Sequence, residues 1–331
     1  MKQFIVITLL ASAALSVNGQ NSIDAVLRSI EANNKELQAN NQLTVSKKLE
    51  AKLDNNLPDP SVSYVHQYGN REGMGIQGEL VASQSFDFPS VYVQKNKLAK
   101  SKAASFDRQG AEFRQQILLQ AKEICLDLVL LNQQRALLDQ RRQNAEQLAE
   151  LYAMRLETGD ANILETNKID LELLNAKTEA RMNESARIAK LQELATLNGG
   201  IAIDFTDTTY MSDGDILSFE ELCAEAVTSN PQLLTLKSEQ VAARRQLSVN
   251  KSKSLPSFEL GYRMNTATGG ERFNGFLVGI SIPLFSNRNN VKQAKAQALY
   301  TDLQLESTTT TVESELHQLK VGIKSLRFSL L

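Results

Sequence analysis

Apolar residues recur at alternating steps of four and three through Ile117, Ala121, Ile124, Leu128, Leu131, Arg135, Leu138, Arg142, Ala145, Ala149, Tyr152 and Leu156. This is the heptad seam of a coiled coil, and its two arginines keep it from being wholly dry. It lies in a stretch from Ser90 to Asn198 that contains no proline. The one strong break is Thr158-Gly159-Asp160, where glycine takes the left-handed conformation that ends a helix and Asp160 stands where the next helix needs a cap. The pattern predicts a helical hairpin with its tip there, one arm running from Val91 to Glu157 and the other from Ala161 to Asn198. At about 1.5 Å per residue the arms reach roughly 100 and 57 Å, longer than an ordinary globular core needs.

Ahead of this hairpin, Ile23, Val26, Leu27, Ile30, Leu37, Leu43, Leu49 and Leu53 predict one helix from Ser22, its capping residue, to about Asn55, where Pro58 and Pro60 stop it. The period then changes to two. Val62, Tyr64, His66 and Tyr68 share one face, with Ser61, Ser63 and Gln67 on the other. After a turn over Gly69–Gly75, Ile76, Leu80, Ala82, Phe86 and Phe88 oppose Gln77, Glu79, Ser83, Ser85 and Asp87. Each run reads as a strand with one apolar and one polar side.

The same programme then starts again. Ser218 follows Ser22 by 196 residues (218 − 22), and Pro256 follows Pro60 by the same interval (256 − 60). Leu233 matches Leu37, and Val241 matches Val45. Phe258, Leu260, Tyr262 and Met264 alternate with Glu259, Gly261, Arg263 and Asn265. Beyond Gly269-Gly270, Phe276, Val278, Ile280 and Ile282 alternate with Leu277, Gly279 and Ser281, up to Pro283. A further helix begins near Asn290 and continues toward Leu331. By the period, Leu331 corresponds to a position deep inside the first long helix, so the second hairpin is expected to be unfinished, lacking its tip and returning arm. A chain of this form is not expected to close a tunnel by itself.

The expected organisation is a signal peptide over 1–19, a first repeat over 20–198, a polar linker over 199–217 and a second repeat over 218–331. Strands are expected at about 61–69, 75–88, 257–266 and 274–283. Lys2, the apolar run from Phe4 to Val17 and the small residues before Gln20 carry the signal-peptide reading. That run is too short for an anchor, and no cysteine follows it to take a lipid, so no lipid anchor is expected. No later window approaches a membrane helix in length, so any membrane span is built of strands. Four strands cannot form a soluble sandwich alone, but they suit a barrel with lipid outside and water inside. Tyr64, Tyr68, Phe86, Phe88, Phe258, Tyr262, Phe273, Phe276 and Phe285 lie near strand ends, as interfacial aromatic belts do.

The 331 residues carry a net charge of −2, six prolines and no tryptophan, which favours long helices over a compact core. Near-zero net charge without a clustered basic run argues against a nucleic-acid surface. Cys125 and Cys223 fall on apolar helical positions and read as core thiols, not as a disulfide framework. Gly73-Met74-Gly75-Ile76-Gln77-Gly78 has the spacing of a dinucleotide loop but precedes a strand, so it reads as a hairpin turn. Asn183-Glu184-Ser185 has the sequon form and reads as a solvent-facing helix segment. His66 and His317 have no Cys or His beside them to complete a metal site, and no carboxylate pair is spaced for acid–base work. We expect no catalytic residue, cofactor or metal, and not an enzyme.

Ile282-Pro283-Leu284-Phe285-Ser286, followed by Val291-Lys292-Gln293-Ala294-Lys295-Ala296-Gln297-Ala298, and the tip from Tyr152 to Gly159 with Ala161-Asn162-Ile163-Leu164-Glu165, resemble the TolC-like outer-membrane efflux protein family. The resemblance runs from Ser22 to Leu331, with Asp160 where many members carry leucine and with the second tip absent. It implies a mostly α fold with membrane β structure: a homotrimer in which four strands per chain close a twelve-stranded barrel, while coiled-coil hairpins form an α-barrel in the periplasm of a Gram-negative cell. It also implies a passive outer-membrane exit duct for small molecules or secreted polypeptides. The duct serves a tripartite efflux or type I secretion system, with a periplasmic adaptor, an inner-membrane pump and outer-membrane lipid as partners. Arg155, Leu156, Thr158, Gly159 and Asp160 are the expected adaptor-docking tip. The alternative is a periplasmic adaptor, which also carries a coiled-coil hairpin but does not repeat amphipathic strand pairs.

Overall fold

The computed structural model describes residues 23–210, 218–285 and 287–329. The signal-peptide stretch, Ser22, Ser286 and the end of the linker lie outside them. In chain order the elements are α1 (Ile23–Asn33), α2 (Lys35–Leu53), β1 (Ser61–Tyr68), β2 (Ile76–Phe86), α3 (Pro89–Glu157), α4 (Ile163–Leu197), α5 (Phe219–Ser229), α6 (Pro231–Ser252), β3 (Ser257–Thr266), β4 (Arg272–Ser281) and α7 (Arg288–Ser329). Helix, helix, strand, strand and long helix thus occur twice. Among the described residues the chain divides into two compact units, the first drawn from the stretches 1–35 and 116–213, the second from 36–115 and 214–331.

The single helix expected up to Asn55 is two helices. Asn34 breaks it: it is 2% exposed, and its side-chain amide donates to the Leu197 carbonyl at 2.8 Å. Asn230, 196 residues later (230 − 34), does the same in the second repeat, separating α5 from α6. Its side chain caps the Leu233 N–H at 3.0 Å, with Pro231 at the first helical position. Asparagine competes with the helical backbone for hydrogen bonds, which is why it breaks helices where apolar spacing alone predicts continuity.

In the first unit, the α3–α4 hairpin is packed along the expected seam. Ile117, Ala121, Ile124, Leu128, Ala145 and Ala149 are buried, while Leu131, Leu138, Tyr152 and Leu156 are half-buried. The arginines of the seam turn outward into ion pairs. Arg142 reaches Glu146 at 3.2 Å and Asp139 at 3.5 Å, and Arg135 reaches Glu184 at 3.6 Å. Arg141 joins both Glu172 and Glu179 at 2.7 Å. Exposed pairs of this kind contribute about 0–1 kcal/mol each, so they fix which turns face each other more than they stabilise. Within this set the Arg187 hydrogen bond holds the Glu184 carboxyl below its ordinary range. Asn183, expected on the solvent face, is 7% exposed and donates to Gln134 at 3.3 Å. The asparagine of the mid-helix sequon therefore faces α3, while its Ser185 is exposed.

The linker after Asn198 is not merely irregular. Phe205 is completely buried, and the Asn132 amide donates to the carbonyls of Phe205 at 3.3 Å and Asp207 at 3.0 Å. Gln133 donates to the Thr208 carbonyl at 2.6 Å. Two polar side chains of α3 thus supply the hydrogen bonds that an extended segment lacks internally. Cys125 is fully buried in this unit. Burial, with the Asp207 carboxylate adding to it, pushes its thiol up to about 12. Cys223, in the other unit, is half-buried, and both cysteines are free.

Candidate functional site

The second unit contains one antiparallel sheet in the order β1-β2-β3-β4, so the two repeats meet at the β2–β3 pair. The turn between β1 and β2 uses positive φ at Gly73 and Gly75, which L side chains rarely adopt. Thr268 clasps the two turns together, its hydroxyl accepting from the Ile76 N–H at 2.6 Å. Residues directly opposite in an antiparallel ladder place their side chains on the same side. The rows Val62–Ala82–Tyr262–Phe276, Tyr64–Leu80–Met264–Asn274, Gln84–Leu260–Val278 and Phe86–Phe258–Ile280 therefore lie on one face. Every strand has its apolar set on that same face. A one-residue slip in any pairing would have mixed the two faces.

The apolar face is bare. Phe276 is 93% exposed, Val62 72%, Val278 71% and Ile280 65%. These are large side chains on a continuous surface, which a water-facing sheet does not keep uncovered. The opposite face carries Ser61, Ser63, Gln67, Gln77, Glu79, Ser83, Ser85, Glu259, Arg263 and Asn265. On it, Arg263 of β3 pairs with Glu79 of β2 at 2.6 Å, joining the two repeats. The aromatic assignment changes at one residue. Phe273 pairs with Asn265 and so lies on the polar face, not with the interfacial set, because β4 opens at Arg272 and fixes its parity. Among the described residues, the outer edges of β1 and β4 pair with no other strand.

The hairpin tip, in the first unit, is built from local hydrogen bonds. Gly159 has φ +82° and supplies the left-handed turn. The N–H groups of Asp160 and Ala161 donate to the Arg155 carbonyl at 2.8 and 3.1 Å. Thr158 Oγ1 lies 3.1 Å from Asp160 Oδ2, and Arg155 donates to the Asp160 carbonyl at 3.4 Å. The Arg155 guanidinium also stands over the Tyr152 ring at 5.5 Å. Four of the five expected tip residues are thus exposed and brought together, with Leu156 half-buried beneath them. The cap of α4 is not Asp160 but Asn162, which forms a reciprocal capping box with Glu165. Asn-x-x-Glu is a legible signal. Asp160 does not cap because two further residues complete the turn before α4 begins at Ile163. Beside the tip, Met154, Ile163 and Leu164 are exposed apolar residues that the expected set omitted.

No helix among the described residues is long and apolar enough to cross a membrane. No group of three His, Cys, Asp or Glu among them is placed to hold a metal ion.

No family model matches the sequence, and no curated protein matches it either. Solved structures do match. The chain is similar to the outer-membrane channel OprN, at 13% identity and a TM-score of 0.72 over 92% of this chain and 75% of that one. It is similar to the CmeC outer membrane channel of Campylobacter jejuni at 15% identity and a TM-score of 0.69, covering 87% of this chain and 68% of the other. The outer membrane protein VceC of Vibrio cholerae matches at 14% identity and 0.69, over 92% and 79%. At such identities the shared property is the arrangement of the backbone, and by that measure, with one apolar sheet face running across both repeats, the chain has the fold of the TolC-like outer-membrane channels.

Proposed function

We propose that this protein is the subunit of a passive outer-membrane channel, the exit duct of a tripartite efflux or type I secretion system. One observation carries the reading: the register gathers the apolar side chains of four strands, from both repeats, onto one uncovered face. Lipid is the environment that such a face suits. Four strands are too few to close a membrane barrel, and the free edges of β1 and β4 are complementary in direction, so copies join edge to edge. Three copies supply the twelve strands of a closed ring. The polar face then lines a water-filled bore through the ring, open to ions whether or not the helices below it close into a tunnel wall in the periplasm.

The exposed tip around Arg155, Leu156, Thr158, Gly159 and Asp160 docks a periplasmic adaptor, which couples the duct to an inner-membrane pump. Its fixed turn and its mixture of a guanidinium, a carboxylate and neighbouring apolar side chains give a partner both charge and area to engage.

The test is fractionation of the source cell followed by gel analysis without heating. The protein is expected in the outer membrane after a high-salt wash, as a band at three times the protomer mass that collapses on boiling. Release by salt would sink the channel reading in favour of a periplasmic adaptor. A photocrosslinker at Thr158 is expected to capture a periplasmic protein, while the same probe at Ser83 captures none; equal capture at both would remove the docking role from the tip.

A further inference from the structure

We infer that Glu259 sets a preference for cations in the strand-lined part of the pore. The inference rests on the channel reading above. The polar face of the sheet carries two carboxylates, Glu79 and Glu259, and one guanidinium, Arg263. Arg263 is committed to Glu79 at 2.6 Å. Glu259 has no ionic partner among the described residues, so the excess negative charge of that face is localised on it.

The register also keeps this carboxylate from being covered. Its row is Ser85–Glu259–Gly279, a short hydroxyl on one side and no side chain on the other. A Cβ at Gly279 would stand 3.3 Å from both Glu259 Cβ and Glu259 Oε2. Glycine at 279 therefore leaves the space that the carboxylate occupies. Arg263 stands four residues further along the same strand, about 13 Å at 3.3 Å per residue. That exceeds the Debye length of about 8 Å at physiological ionic strength, so the Arg263 charge does not cancel Glu259 there. In the closed ring each copy contributes one such carboxylate at the same height, and the field of one sign concentrates counter-ions of the other.

The experiment uses the full chain, purified from membranes and reconstituted in planar bilayers under a KCl gradient, with reversal potential as the readout. Glu259→Gln is expected to move the reversal potential toward the chloride equilibrium potential. Arg263→Gln is expected to move it the opposite way, because it leaves Glu79 unpaired, and Glu259→Asp to leave it near the parent value. The shifts are expected to be large near 0.01 M salt, where the Debye length is about 30 Å, and to shrink toward 1 M, where it is about 3 Å. All side chains concerned are at least partly exposed on the sheet surface, so these variants keep the barrel, and an unheated trimer band verifies that for each. Conductance with an unmoved reversal potential in Glu259→Gln overturns the assignment to Glu259 alone. Absence of conductance from the correctly assembled parent protein overturns the channel reading and this inference with it.

Discussion

Phe205→Ala is expected to detach the segment that follows α4 from the first unit. Phe205 is fully buried, and removing a buried phenyl ring costs about 3–5 kcal/mol through lost transfer energy and the cavity left behind. Nothing else apolar in residues 199–210 is buried to that degree, so the loss cannot be shared among neighbours. The remaining attachments include the amide hydrogen bonds from Asn132 and Gln133, each worth only about 0.5–1.5 kcal/mol net, and the attraction between Arg187 and Asp204. Cys125 provides the readout. In the parent protein its thiol is buried and pushed up to about 12 by burial and by Asp207, so thiolate is scarce and maleimide has no access. In a Cys223→Ser background, Phe205→Ala is expected to raise the rate of Cys125 alkylation several-fold at fixed pH. Asn132→Ala is expected to raise it less, since it leaves the ring in place. An unchanged rate in Phe205→Ala would show that the ring does not hold the segment.

The contrast between Phe205 and the strands explains what was legible in the sequence. Along β1 to β4 and along the α3 seam, each side chain's environment is dictated by a period of two or of seven, and such periods can be counted. The 196-residue repeat could be counted as well. It extends even to Asn34 and Asn230, which break the helices in both copies, although apolar spacing alone predicts continuity there. What could not be counted was tertiary. Phe205 sits in a polar stretch with no periodicity, and the side chain that holds its carbonyl, Asn132, stands 73 residues earlier (205 − 132). The Glu79–Arg263 pair joins two repeats whose register becomes visible only when the β2–β3 ladder is paired. Phe273 was misplaced because proximity to a strand end says nothing of parity, and parity was fixed by where β4 begins.

Tip chemistry was partly legible for a related reason. Gly159 at positive φ is a backbone requirement that sequence displays directly. The identity of the cap is a matter of counting residues after the turn, and Asn162 with Glu165 satisfies the capping box that Asp160 does not. The docking role assigned to the tip, by contrast, depends on a partner surface, which periodicity within one chain does not encode.

The largest effect is expected from moving a charge by one residue along β4. Val278 lies on the apolar face and is 71% exposed, while Leu277, its neighbour, pairs with Gly261 on the polar face. Arginine at a lipid-facing site near the bilayer midplane costs about 2–4 kcal/mol. A closed ring of three copies incurs that cost three times, which is comparable to the whole stability of an ordinary domain. Val278→Arg is therefore expected to abolish the unheated trimer band and to remove the protein from salt-washed outer membranes. Leu277→Arg, with the same side chain one position earlier, is expected to leave both intact, because its guanidinium enters the water-lined side. It should also shift the reversal potential toward chloride, as the added charge is positive. If both variants insert equally well, the face assigned to lipid is wrong. If Leu277→Arg alone fails, the two faces have been exchanged, and Glu259 would then face lipid. The pair thus tests the sheet register, the direction of the barrel wall and the location of the pore charge through one adjacent-residue comparison.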